Sequence, residues 1–153
     1  MPDTTFETLA AKGAIIDVIT ELFVATDQRD WVAVRRCFAD QVLFDMSSVG
    51  GGPPARVAAE EIVAGWEKGL AALEAIHHQA GNHRVTVHEA RATASCYGIA
   101  YHYRRTASGR NTRTFVGSYA FILDKGGPLG WRISTFRFDL KFTEGNPDLA
   151  SDG

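Results

Sequence analysis

The chain changes its hydrophobic period once, and that change limits the folds open to it. Up to about residue 75 the apolar residues recur at helical spacing, and after Asn82 they alternate with a period of two. Helices first and strands afterwards describe an α+β domain, in which the sheet has to cover the apolar faces of the helices. At the junction stands Ile-His-His-Gln-Ala-Gly-Asn, residues 76–82. It reads as a bend, and a histidine held there would look into whatever cavity the two layers enclose. A pair of histidines that merely solvates a loop is the plainer alternative, and the rest of the chain has to decide between them.

The helical half predicts three helices. Over residues 5–27, Ile15, Ile16, Val18, Ile19, Leu22 and Phe23 make one broad apolar stripe, with Asp17, Glu21 and Gln28 opposite. Asp27 follows Phe23 by four and so falls on the buried stripe at the helix C-terminus. Burial and the helix dipole both disfavour a carboxylate there. A capping or surface role is one account, and a held partner is the preferred one. Asp30 is a suitable N-cap for a short helix over 31–38. A short strand over 40–46 comes next, then a Gly/Pro loop over 47–54 that is expected to be mobile and to cover a pocket. No lysine follows that loop in the spacing of a phosphate-binding loop. The third helix is read over 56–75, with Ala59, Ile62, Val63, Trp66, Leu70 and Leu73 on one face.

The strand half predicts strands over 83–88, 91–105, 112–123 and 131–142, mostly antiparallel. The second of these has two unlike faces. Its even positions Ala94, Cys96, Gly98 and Ala100 are small and end at His102, while Tyr97, Ile99, Tyr101 and Tyr103 are large. The small face is expected to border a cavity, and the large face to pack on another layer, most simply a second copy of the chain. Phe136, Phe138, Leu140 and Phe142 share a face of the last strand. Residues 143–153 read as a loose polar tail. A twisted sheet wrapped around three helices makes a cone with an open mouth, a usual place for a ligand.

Composition narrows the function. The 153 residues are read as one domain, with its core over about residues 10–145. A net charge of -2 with no basic cluster beyond Arg104-Arg105 argues against a nucleic-acid partner. No apolar run is long enough for a membrane span. The N-terminus lacks a signal-peptide pattern, so a cytoplasmic location is expected. Cys37 and Cys96 have no C-x-x-C spacing and read as buried small residues. A zinc site drawn from His77, His78, His83, His88 or His102 would need an H-E-x-x-H or cysteine-rich spacing, which is absent. No metal and no organic cofactor is expected. Ser118 lies on a strand without an elbow motif and is a poor nucleophile candidate.

Several of these stretches together resemble the SnoaL-like branch of the nuclear-transport-factor-two-like superfamily. They are Asp27-Gln-Arg-Asp-Trp31, Phe38, the Gly/Pro loop, the helix beginning near Val57, His78-x-x-x-Asn82-x-x-Val85 and Gly130-Trp-Arg-Ile133. The resemblance covers roughly residues 10–145 and lies in order and spacing more than in any single motif. It implies a cystatin-like α+β cone, three helices packed in a curved sheet. Within the branch the chain is similar to scytalone dehydratase and hexachlorocyclohexane dehydrochlorinase. That likeness implies a catalytic pair of Asp27 and His78, with His102 as a second histidine in the site. Two tyrosines of the dehydratase pattern are replaced here by Thr26 and Met46.

A histidine that donates one ring nitrogen to a buried carboxylate offers the other as a base, and the carboxylate stabilises the imidazolium that forms. Two functions are therefore carried. One is a cofactor-independent lyase or isomerase acting on a small apolar ring compound, with His78 as base, Asp27 as its orienting partner and His102 as donor or proton relay. Its walls are expected from Phe23, Met46, Trp66, Gly98, Ser118, Phe136 and Phe138. The other is a non-catalytic ligand-binding or assembly module of the same fold, like the small subunit of a ring-hydroxylating dioxygenase. In either case a homodimer or higher homo-oligomer is expected.

Overall fold

The computed structural model describes residues 5–152. Its elements are α1 (Phe6–Asp27), α2 (Trp31–Arg36), β1 (Phe38–Asp45), β2 (Ala55–Ala58), α3 (Ala59–Leu70), β3 (Ala75–His88), β4 (Arg91–Tyr103), β5 (Thr112–Lys125) and β6 (Trp131–Gly145). The six strands form one sheet in the order β2-β1-β6-β5-β4-β3. Every pairing is antiparallel except that of β1 with β6. Register shifts at Gly81/Arg84, Val116/Gly117 and Ile122/Leu123 interrupt the ladders, and such bulges bend a sheet and raise its twist. The expected α+β cone is the fold observed.

The apolar stripe of α1 drives the packing. Ile15, Val18, Ile19 and Leu22 are buried in one core with Ala92, Ala94 and Cys96 of β4 and Phe121 and Leu123 of β5. Full burial of each Leu or Ile side chain stabilises by about 1.5–3 kcal/mol. Along β4 the small even positions are buried, and Tyr97, Tyr101 and Tyr103 on the odd face are 52%, 42% and 37% exposed. Cys37 and Cys96 are buried free thiols, and burial pushes both up to about 12, so they remain protonated and unreactive. Among the described residues no helix is long and apolar enough to cross a membrane.

Several boundaries differ from the sequence reading. Phe38 opens β1 instead of closing α2, because Cys37 already caps the helix and its carbonyl accepts from the Ile133 amide at 2.8 Å. The helix expected over 56–75 is only its middle. Arg56 and Val57 pair with Leu43 and Val42 to make β2, so an available sheet edge overrides local helical spacing. At the other end Arg29 donates to the carbonyl of Leu70 at 2.9 Å and also to that of Leu73, which secures the chain's exit from α3.

The junction at residues 76–82 is strand, not loop. β3 runs alongside β4 from Ala75 opposite Tyr103, and Asn82 and His83 bulge between the Gly81–Tyr97 and Arg84–Ser95 pairs, with Asn82 at φ 55°. The loop over 47–54 begins with a single 3-10 turn, Ser47–Val49, tied down by one side chain. Ser48 Oγ donates to the Phe138 carbonyl at 2.7 Å and accepts from the Leu140 amide at 3.0 Å. This half of the expected lid is anchored to β6.

The tail is also anchored. Leu149 is fully buried in a small cluster with Leu73 and Ile76, and Arg104 donates to the carbonyls of Leu149 at 3.1 Å and Ala150 at 2.9 Å. Asn146 and Ser108 both hold Asp152. Leu149→Ala is expected to lower the unfolding free energy by about 2–3 kcal/mol, the modest end for a leucine deletion because a small cluster can partly collapse. Urea unfolding with unchanged stability would mean that the tail does not pack there.

Candidate active site

Asp27 is the last residue of α1, one turn after Phe23, and this carries it from the buried stripe to the face of β3. Its Oδ1 lies 2.6 Å from His78 Nδ1, and its Oδ2 accepts the His78 backbone N–H at 2.8 Å. One carboxylate therefore holds both the backbone and the ring of the same histidine. The side chains of His78 and Asp27 are only 14% and 17% exposed, so the pair works at low dielectric with little competition from water. An ionised carboxylate only accepts, which puts the imidazole proton on Nδ1 and leaves Nε2 as the free lone pair. The Phe23 ring stacks on the imidazole with centroids 5.3 Å apart and fixes its plane.

His78 lines a cavity of about 440 Å³. Phe23, Met46, Trp66, Phe136 and Phe138 line it too, as the sequence predicted. His102 shares it, buried at 9% exposure on β4. The Arg113 guanidinium donates to His102 Nδ1 at 3.2 Å, so the His102 proton resides on Nε2. Burial, reinforced by Arg113 of β5 and His78 of β3 and opposed by Asp27 of α1, brings His102 down to about 4. It is a neutral N–H donor across the neutral range. Of the two roles expected for His102, donor and proton relay, a ring whose Nδ1 already accepts from Arg113 suits the donor.

That depression has a consequence for stability. His102 in the unfolded chain takes up its proton near the ordinary 6.5, well before the folded form does. The unfolded state holds more protons between these values, so stability falls as pH drops from about 6.5 toward 4, by up to roughly 3 kcal/mol. His102→Gln can still accept from Arg113 and is expected to show a shallower fall in urea unfolding between about pH 7 and pH 4. Identical slopes would mean that His102 is protonated in the folded protein.

Two predicted wall residues are elsewhere. Gly98 does not line the cavity: the Tyr119 ring rests directly on it, and a Cβ there would meet Tyr119 Cδ2 at 2.9 Å. The small face of β4 makes room for an aromatic ring, not for a ligand. Ser118 pairs with Tyr97 in the ladder and projects to the outer face of β5, because the cavity is reached from the odd positions of that strand.

Those odd positions are what sequence reasoning missed. Arg113, Phe115 and Tyr119 all line the cavity. Their shared odd parity with Phe121 and Leu123, which are buried, is the signal in the sequence that marks this face of β5. Tyr119 packs on Phe23 and Phe138, each with centroids 4.8 Å away, and burial raises its phenol so that it stays protonated. Thr26 and Met46, at the positions of the two expected tyrosines, both line the cavity. The Thr26 hydroxyl is engaged by the Leu22 carbonyl at 2.7 Å, so Tyr119 is the phenol on this wall. Among the described residues no three His, Cys, Asp or Glu side chains gather as a metal cluster.

A family profile described as SnoaL-like domain matches residues 7–137. No curated protein sequence matches the chain. Among solved structures, the fold is similar to that of a Novosphingobium aromaticivorans protein provisionally assigned as an aromatic ring hydroxylase. The two are 25% identical, with 94% of this chain and 98% of that one covered and a TM-score of 0.79. Hexachlorocyclohexane dehydrochlorinase type 2 shares the fold at 14% identity, with 90% of each chain covered and a TM-score of 0.74. A provisionally assigned scytalone dehydratase, also of Novosphingobium aromaticivorans, shares it at 16% identity, with 90% and 89% covered and a TM-score of 0.74. With the family match running from the first helix into the last strand, the chain belongs to the SnoaL-like family of nuclear-transport-factor-two-like α+β cones.

Proposed function

We propose that the protein is a cofactor-independent lyase or isomerase in which His78 removes a proton from carbon of a small ring compound. The observation that carries this reading is the two-point hold of Asp27 on His78 beside an aromatic cavity. His78 Nε2 accepts the C–H proton, and Asp27 stabilises the imidazolium that results. The electron pair of the C–H bond then has two routes. In elimination it forms a double bond as a hydroxyl or halide leaves the adjacent carbon with its bonding pair. In isomerisation it moves onto a carbonyl oxygen as an enolate, and the proton returns to another carbon. His102 Nε2–H and the Tyr119 phenol are the neutral donors on hand for the oxygen that gains charge.

Proton abstraction can be read without knowing the natural substrate. Incubation of cyclic ketones in D2O with the purified protein is expected to incorporate deuterium beside the carbonyl, detected by mass spectrometry, and His78→Ala should not do so. The second reading is an assembly or ligand-binding module of the same fold in which the pair is idle. Absence of exchange in wild-type protein across a broad panel of ring ketones and halides favours that second reading.

We also infer that two copies pack through the outer face of the sheet. Tyr97, Tyr101 and Tyr103 stand exposed in a row there, and this is a larger aromatic surface than a lone domain usually leaves in water. Sedimentation velocity at micromolar concentration is expected to report a dimer, and Tyr101→Glu a monomer. Wild type that sediments only as monomer counts against it.

A further inference from the structure

The cavity wall holds one permanent charge. Arg113 is the sole Lys, Arg, Asp or Glu among the lining residues, since the Asp27 carboxylate stands behind His78 and outside the lining. Arg35, Arg91, Arg105 and Arg137 each reach a carboxylate, but among the described residues no carboxylate lies within ion-pair distance of Arg113. Its contacts are neutral. Nη1 donates to the Pro147 carbonyl at 3.3 Å, Nη2 to His102 Nδ1 at 3.2 Å, and Nε is buried without a partner. Its Cζ lies 5.4 Å from the Phe115 centroid.

A partly buried guanidinium without a counter-charge is costly, and charged groups in such places pair with something. The plainer account is that Arg113 pins the chain at Pro147. That account needs one N–H, and it does not explain the placement of the charge among aromatic walls beside a neutral histidine. An anionic ligand explains both, because it supplies the missing charge where fork geometry suits a carboxylate. His102, held neutral, adds an Nε2–H donor and no competing cation. A volume of about 440 Å³ between Phe23, Trp66, Phe136 and Phe138 suits a molecule of one or two rings.

We propose that Arg113, flanked by His102, is the anion-recognition residue of the cavity, and that the molecule it takes is a ring compound bearing a carboxylate. This amends the expectation of a purely apolar ligand. It rests on the lyase or isomerase reading only in taking that molecule to be the substrate, and the binding itself is testable without turnover.

Calorimetric titration with 1-naphthoate and its neutral counterpart 1-naphthamide separates charge from shape. The wild-type protein is expected to bind the carboxylate about ten- to hundredfold more tightly than the amide. Arg113→Met, which keeps the stem over Phe115, should bring the two to near equality while still binding the amide, and Arg113→Lys should keep part of the preference. Wild type that binds both equally, or neither, overturns the proposal, as does a preference that survives in Arg113→Met. Should Arg113→Met not fold, the wild-type comparison and Arg113→Lys decide. His78→Ala is expected to retain the preference after proton exchange is lost, so failure of this proposal and failure of the lyase or isomerase reading give different results.

Discussion

His78→Ala is expected to lower kcat by about 10²–10⁴-fold, the usual contribution of a positioned base, with little change in KM. KM should be spared because the rest of the cavity wall, including Trp66, Phe136, Phe138 and Arg113, comes from other residues. Asp27→Asn should fall in the same range for a different reason. The carboxylate accepts from two donors of His78, the ring Nδ1–H and the backbone N–H. An amide offers one oxygen for those two donors and turns its NH2 toward the other, so either the ring tautomer or the backbone bond is lost. The charge that stabilises the imidazolium goes in both cases. Steady-state kinetics on any substrate found by deuterium exchange will measure this. A His78→Ala variant with more than about a tenth of wild-type kcat would remove the histidine from the role of base.

Gly98→Leu should be the most damaging substitution outside the pair. By its place on the small face of β4, Gly98 is expected to border open cavity. The Tyr119 ring occupies that space, and even a single Cβ would press on it. Tyr119 in turn packs on Phe23, Phe136 and Phe138. A leucine therefore drives the ring off the strand and into the cavity, and overpacking of this kind costs about 3 kcal/mol or more. For a chain of this length the melting temperature should fall by about 6–12 °C. Naphthoate binding should disappear with it. Adding Tyr119→Ala to Gly98→Leu should restore part of the stability, a coupling that a merely strained strand would not show. A Gly98→Leu protein with wild-type melting would mean that Tyr119 does not sit on Gly98.

Aspects of the site carried by local pattern were legible in the sequence. Asp27 was conspicuous because a carboxylate on an apolar helical stripe is an anomaly that one helical wheel reveals. The alternation of β4 announced which face His102 would occupy, and the aromatic periodicity of β6 did the same for Phe136 and Phe138. Likeness to the family supplied the choice of His78 over His77, which spacing alone left open. In the sheet the choice is explained by parity: His78 stands on the inner face of β3, and His77, one residue away, lies near Tyr101 on the outer face.

What the sequence by itself determined was three helices with one early strand, then four long strands, and the inward face of most of them, because those follow from side-chain periodicity within one element. Only the tertiary structure decided what depends on a second element far along the chain. Residues 55–58 became strand because β1 offered them a free edge, and 76–82 became strand because β4 ran beside them. The tail was held because Leu149 found Leu73 and Ile76. Gly98 turned from cavity wall to seat for Tyr119, and Arg113 came to share a cavity with His102 eleven residues earlier, through the register between β4 and β5. Register is set by cross-strand pairing and bulges, which are long-range contacts, and no window of local sequence contains them.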